Sequence, residues 1–125
     1  MEFKTFEDLE VYKAAREFRK KIYKLIKELP EEEKFNLVGQ MRRAATSLTN
    51  NIAEGYGRYH YQENIQFCRQ SGGSLYELID HLDVAMNCNY LDDSVMQTII
   101  NDIKAAIQIL NGYIKYLKQR KEREM

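Results

Sequence analysis

The residues of this chain that are able to do chemistry are few and poorly grouped. Glu77 and His81 stand four apart, with Asp80 beside the histidine. A carboxylate-bridged metal site in a helical bundle needs a Glu-x-x-His pair from each of two helices plus two further glutamates. Only this one neighbourhood exists, and the only histidines are His60 and His81, so a solvated helix face accounts for the spacing. The two cysteines, Cys68 and Cys88, cannot supply a four-thiolate zinc site or a disulfide framework. Cys68 falls on an apolar seam, where a thiol behaves as a small hydrophobe. Gly55-Tyr56-Gly57 has neither the preceding strand nor the following Gly-Lys-Ser/Thr of a phosphate loop. The expectation is a protein without catalytic residues, metal or cofactor.

Three helical stripes carry more information. Lys13, Arg16, Lys20, Lys24 and Lys27 recur at spacings of three and four, opposite the apolar residues of the same segment and with no acid in the line. Both a solvated lysine face and a rod of charge tracking a phosphate backbone fit that pattern. Gln40, Arg43, Ser47, Asn50 and Glu54 form a second stripe of short amides and hydroxyls, where an ordinary solvent face favours Lys and Glu. The third is apolar: Val95, Ile99, Asp102, Ala106, Ile109, Tyr113 and Tyr116 run beside a full core seam. Together the two lines span about 180° of helix, against the roughly 100° that a surface helix buries. An apolar strip of that length is an aggregation hazard when exposed, so self-association through Val95, Ile99, Ala106, Ile109, Tyr113 and Tyr116 is expected.

The elements that hold these stripes are read from apolar periodicity. The chain has 125 residues, 44% hydrophobic and 30% charged, with one proline, which suits a single helical domain over residues 1–125. Spacings of three and four give four seams. The first is Val11, Ala15, Phe18, Ile22, Leu25 and Leu29, with Thr5 as candidate N-cap and Pro30 as the stop. The second is Val38, Met41, Ala45, Leu48 and Ile52, with Glu31 to Glu33 at the positive end of its dipole. The third is Ile65, Cys68, Gly72, Leu75, Ile79, Leu82 and Met86. The fourth is Met96, Ile100, Ile103, Ile107, Leu110, Ile114 and Leu117, capped by Asp92. Four matched helices of about 25 residues, joined by short connections, make an all-α, antiparallel up-down-up-down four-helix bundle. Gly72-Gly73 sits in mid-helix, which fits either a kink or the close approach of another backbone.

Several stretches carry a resemblance over nearly the whole chain: Phe6-Glu7-Asp8-Leu9-Glu10-Val11-Tyr12, Leu29-Pro30, Phe35 through Gln40, Arg42-Arg43-Ala44-Ala45, Ser47, Asn51-Ile52-Ala53-Glu54-Gly55, Gly57-Arg58 and Ser74-Leu75-Tyr76-Glu77-Leu78. Together they resemble the bacterial four-helix-bundle family encoded in intervening sequences of 23S ribosomal RNA genes. The resemblance implies a bundle that assembles into a ring of five. It also points to a related branch, the accessory variability protein of diversity-generating retroelements, which binds nucleic acid and a reverse transcriptase. Asn51, Ile52, Ala53, Glu54, Gly55 and Arg58 match the family element at the end of the second helix. There Gly55 and Gly57 are expected to let the chain leave the helix, and Glu54 to pair with Arg58 across one turn.

Nineteen basic and nineteen acidic residues cancel, so no global field draws the protein to nucleic acid. The distribution is uneven: residues 1–62 hold twelve bases and ten acids, and residues 115–125 hold five and two. Two functions follow as expectations. One is an RNA-binding homo-oligomer, probing phosphates with Lys13, Arg16, Lys20, Lys24, Lys27, Arg42 and Arg43. The other is a scaffold that docks a partner protein, such as a nucleic-acid-processing one. The first residues mix acid and base, and no apolar run approaches the roughly 20 residues of a membrane span. A cytoplasmic protein with no membrane partner is expected, in a compartment that keeps both thiols reduced.

Overall fold

A computed structural model of the chain describes residues 5–124. Four α-helices carry the fold: α1 Glu10–Leu25, α2 Leu37–Tyr56, α3 Tyr61–Asn87 and α4 Asp93–Arg123. Each helix packs on its neighbours in the chain, α4 closes the square against α1, and the backbones of the diagonal pairs stay apart. That is the up-down-up-down antiparallel bundle, and no strand occurs among the described residues. Its core runs from Val11, Phe18 and Ile22 through Met41, Leu48 and Ile52 to Leu75, Leu82, Ile103 and Leu110.

The helices are not matched in length: they hold 16, 20, 27 and 31 residues. Thr5 does act as a cap, but of a 3-10 turn, Phe6–Asp8, so α1 begins only at Glu10. At its other end α1 tightens into a second 3-10 turn, Ile26–Glu28, before Leu29 takes the extended backbone that a following proline demands. Glu31–Glu33 form a 3-10 turn of their own, three residues short of α2. They therefore do not sit on the α2 dipole.

The α3–α4 connection is fully specified by local chemistry. Asn89 adopts φ 63°, which asparagine tolerates better than most residues. The N–H of Tyr90 then reaches the carbonyl of Ala85 and that of Asn89 reaches Met86, a Schellman closure. Asp92 caps α4, its carboxylate accepting from the Val95 N–H at 2.9 Å. Those bonds hold the Asp92 carboxyl below its usual range. Tyr90 donates to Glu33 at 2.8 Å, tying this turn to the α1–α2 connection and pushing the phenol up to about 12.

Two seams are turned from their expected register. On α3 the buried positions include Ser71, Leu78 and Ala85, while Gly72, Ile79 and Met86 are only half-buried. α2 and α3 form the most extensive helix pair. Small residues at that contact, Gly55 on α2 and Ser71 on α3, let α3 roll toward α2. Ser71, fully buried, donates to the carbonyl of Leu48 at 2.8 Å. On α4 the buried positions are Ile99, Ile103, Leu110 and Leu117, and Met96, Ile100, Ile107 and Ile114 flank them. Gly72-Gly73 does not split α3, which is continuous through both.

Candidate functional site

The core residues Val11, Ala15, Phe18, Ile22 and Leu25 fix one face of α1, and that fixes where its cations go. Lys13, Lys20 and Lys24 are exposed, Arg16 is half-buried, and Lys27 rides on the 3-10 turn beyond the helix. The stripe is not free of acid. Glu10 lies 3.5 Å from Lys13, and Glu17 lies 3.3 Å from Lys20 and 3.9 Å from Arg16. These glutamates sit three residues back, or adjacent, and reach sideways onto the line. Lys24 and Lys27 alone of the five make no ion pair among the described residues.

Arg42 and Arg43, consecutive in sequence, part company. Arg42 lies over the Tyr23 ring at 5.0 Å, on the α1 side, and Tyr23 is itself held by a hydroxyl bond to Thr46. Arg43 turns to α3, 3.3 Å from Glu77, whose carboxylate also stands 3.4 Å from His81. The structure thus brings Lys27 and Arg42 together on a shallow groove with Leu29, Pro30 and the ion pair of Lys34 with Glu31, 3.8 Å apart, and removes Arg43 from it.

On α4 the second apolar line is divided. Ile99 is 7% exposed and belongs to the core; Val95, Ala106 and Tyr113 are half-buried against it. Ile109 and Tyr116 are 43% and 52% exposed. A heptad step falls about 20° short of two turns, so the line Val95, Asp102, Ile109, Tyr116 rolls steadily out of the bundle. Lys21 of α1 meets Asp102 at 3.2 Å along that edge.

The element at the end of α2 is a fastening to α3. Asn51 donates to the Ser47 carbonyl at 2.9 Å, Ile52 is in the core, and Ala53 is half-buried. Glu54 pairs with Arg58 at 2.7 Å, as the spacing led one to expect, and Arg58 also lies over the Phe67 ring at 4.9 Å. Gly55 does something else than expected. It is helical, and no glycine among the described residues has positive φ. A β-carbon there would meet Oδ1 of Asn64 at 2.7 Å and Cβ of Phe67 at 2.9 Å, so glycine lets α3 pass. Gly72 and Gly73, by contrast, have ordinary or empty surroundings within the bundle.

Beyond this fastening lies a cleft of about 810 Å³, open at the end of the bundle where α1 and α3 begin and α4 finishes. Tyr56, Tyr59, Tyr61, Tyr113 and Tyr116 line it, together with His60. Asn64, 7% exposed, lies at its base and donates to the Tyr113 hydroxyl at 3.4 Å. Burial raises the Tyr113 phenol above its ordinary value. Lys121 donates to Gln62 at 2.6 Å and Tyr61 to Glu124 at 3.1 Å, bringing the α4 terminus to the rim. Periodicity cannot find such a site, because its residues come from helix ends. The available signal was three tyrosines within six residues, Tyr56, Tyr59 and Tyr61.

Cys68 is fully buried and burial pushes its thiol up to about 11, which disfavours the thiolate a nucleophile needs. Among the described residues no cluster of His, Cys, Asp or Glu is built to hold a metal, and no helix is long and apolar enough to cross a membrane.

A family described as 23S rRNA-intervening sequence protein matches residues 7–112. Among solved structures, the fold is similar to that of a protein of unknown function from the S23 ribosomal protein family of Bacteroides thetaiotaomicron VPI-5482. The TM-score is 0.77 at 25% identity, over 84% of this chain and 95% of that one. No curated protein matches in sequence.

Proposed function

The chain belongs to the 23S rRNA-intervening sequence protein family, and from that premise we propose that it is a non-enzymatic, homo-oligomeric RNA-binding protein of the cytoplasm. The observation that carries this reading is the pair Lys27 and Arg42 on one groove, with Lys24 three residues before Lys27 at the end of α1; none of the three has a carboxylate in ion-pair range among the described residues. Unneutralised cations gain most from a phosphate, because no internal partner has to be given up. Lys13, Arg16 and Lys20, each beside a glutamate, contribute less. An exposed free thiol at Cys88 fits a reducing compartment.

RNA binding of this kind is sequence-tolerant and falls steeply with salt. The expected outcome is a gel-shifted complex at low salt whose log–log salt slope loses about three on Lys24→Gln/Lys27→Gln/Arg42→Gln, roughly one for each phosphate contact removed. Lys13→Gln/Lys20→Gln should change it less. The exposed Ile109 and Tyr116 favour a second reading, a scaffold whose apolar strip docks a partner protein. Absence of any complex with RNA at tens of micromolar protein in low salt selects the scaffold.

A further inference from the structure

We infer that the tyrosine-lined cleft binds an unstacked nucleobase, presented by single-stranded RNA or by a free nucleotide. For the RNA source this rests on the binding function proposed above and gives it a second, base-reading site at the other end of the bundle from Lys24, Lys27 and Arg42. At about 810 Å³ the cleft has the size of a small-molecule pocket, roughly 300–1,000 Å³. Five of the nine tyrosines in the chain converge on it. Tyr59 is 93% exposed and Tyr116 52%, so broad ring faces are held open to solvent. The Tyr113 and Tyr116 rings already lie within 18° of parallel, centroids 6.2 Å apart. Tyrosine is a rigid, amphipathic stacking surface that costs little side-chain entropy to order, and every base has a π-face to lay on it.

The base of the cleft adds direction. The Asn64 amide is nine-tenths buried, and its contact to Tyr113 is long and engages one of its two N–H groups. Its oxygen is taken up inside the bundle, accepting from the buried Cys68 thiol at 3.5 Å and lying where a β-carbon on Gly55 would come within 2.7 Å. The amide N–H side, which reaches the cleft residue Tyr113, thus offers a base edge a donor at the floor of the cleft. At the rim, Arg58 is neutralised by Glu54, whereas Lys121 bonds to the neutral Gln62 and keeps its charge for a phosphate.

The test is fluorescence anisotropy with labelled oligoadenylate and with duplex RNA of equal length, on the wild type and on Tyr59→Ala/Tyr116→Ala. Both rings are exposed, so the variant keeps the core. Oligoadenylate affinity should fall about tenfold while duplex affinity stays the same, since stacking on tyrosine is available only to unpaired bases. Equal oligoadenylate affinity of variant and wild type overturns the proposal. A second arm titrates adenosine 5′-monophosphate and follows tyrosine ring resonances. Shifts confined to Tyr56, Tyr59, Tyr113 and Tyr116, and lost with Asn64→Leu, support the cleft even where the wild type binds neither RNA, an outcome that sinks the α1 function alone. No shift at millimolar nucleotide overturns the cleft. So does dissociation of an assembly by Tyr59→Ala alone, a residue off the α4 line, which would make the cleft a seat for a second copy of the chain.

Discussion

A methyl group at Gly55 would stand 2.7 Å from the Asn64 side chain, 2.9 Å from Cβ of Phe67 and 3.1 Å from the Asn64 carbonyl. The second contact is to an atom fixed by the α3 backbone and the third is to that backbone itself, so rotamer changes cannot relieve them and the helices must separate. Overpacking of this kind costs about 1–3 kcal/mol, and the better helix propensity of alanine returns about 1 kcal/mol of it. Gly55→Ala should therefore destabilise the fold by up to about 2 kcal/mol in chemical denaturation. Gly57→Ala should be nearly silent, because its nearest neighbour is an ordinary 3.5 Å away. The contrast is informative at the site as well, since displacing Asn64 disturbs the base of the tyrosine cleft. Sequence alone placed both glycines at a helix exit. It could not see that one of them faces a crossing helix, because that partner lies nine residues on and only the fold brings it close.

At the scale of elements, α3 runs through Gly72 and Gly73 without a break, carried by packing on both sides of the pair. Gly73 has nothing within 4 Å of where a β-carbon would stand. Gly73→Ala should therefore stabilise the isolated bundle by about 1 kcal/mol, read as a shift of the denaturation midpoint at unchanged slope. A loss of stability instead would place another backbone against this face. The four helices, the Asp92 cap and the bundle topology were legible in the sequence, because each is set by local periodicity or by a single side chain. The lengths were not, since 3-10 turns at both ends of α1 and before α2 keep the apolar spacing of a helix while leaving its hydrogen bonding. Nor was the roll of α3, which depends on small residues on two helices at once. Among the basic positions, the line Lys13, Arg16, Lys20, Lys24 and Lys27 was legible as a stripe off the core, but not that Glu10 and Glu17 pair with its first three members. The separation of Arg42 from Arg43 was not, as adjacent residues on α2 lie about 100° apart and their partners, Tyr23 and Glu77, belong to different helices.

Over the whole molecule the charge sums to zero, so binding must come from where charges are left unpaired and from repetition of such places. One bundle end carries Lys24, Lys27 and Arg42; the other carries the tyrosines and Lys121. An assembly repeats both, and linked weak sites raise avidity by about 10²–10⁴ without new contacts when one strand reaches several of them. The surface that would build the assembly is the outward-rolling part of the α4 line. Ile109 is 43% exposed, so a charge there has little effect on the core, whereas Ile99, at 7%, is committed to it. Sedimentation velocity of the wild type is expected to show a species well above 14.8 kDa. Ile109→Glu should return it to the monomer with its helical circular dichroism intact, and RNA affinity should fall by the lost avidity. Ile99→Glu serves as the contrast: a buried, unpaired carboxylate should lower stability by several kcal/mol, and helicity and assembly should fail together. If Ile109→Glu sediments with the wild type, the assembly is not built on this edge of α4, and the apolar strip is left for a different partner to cover.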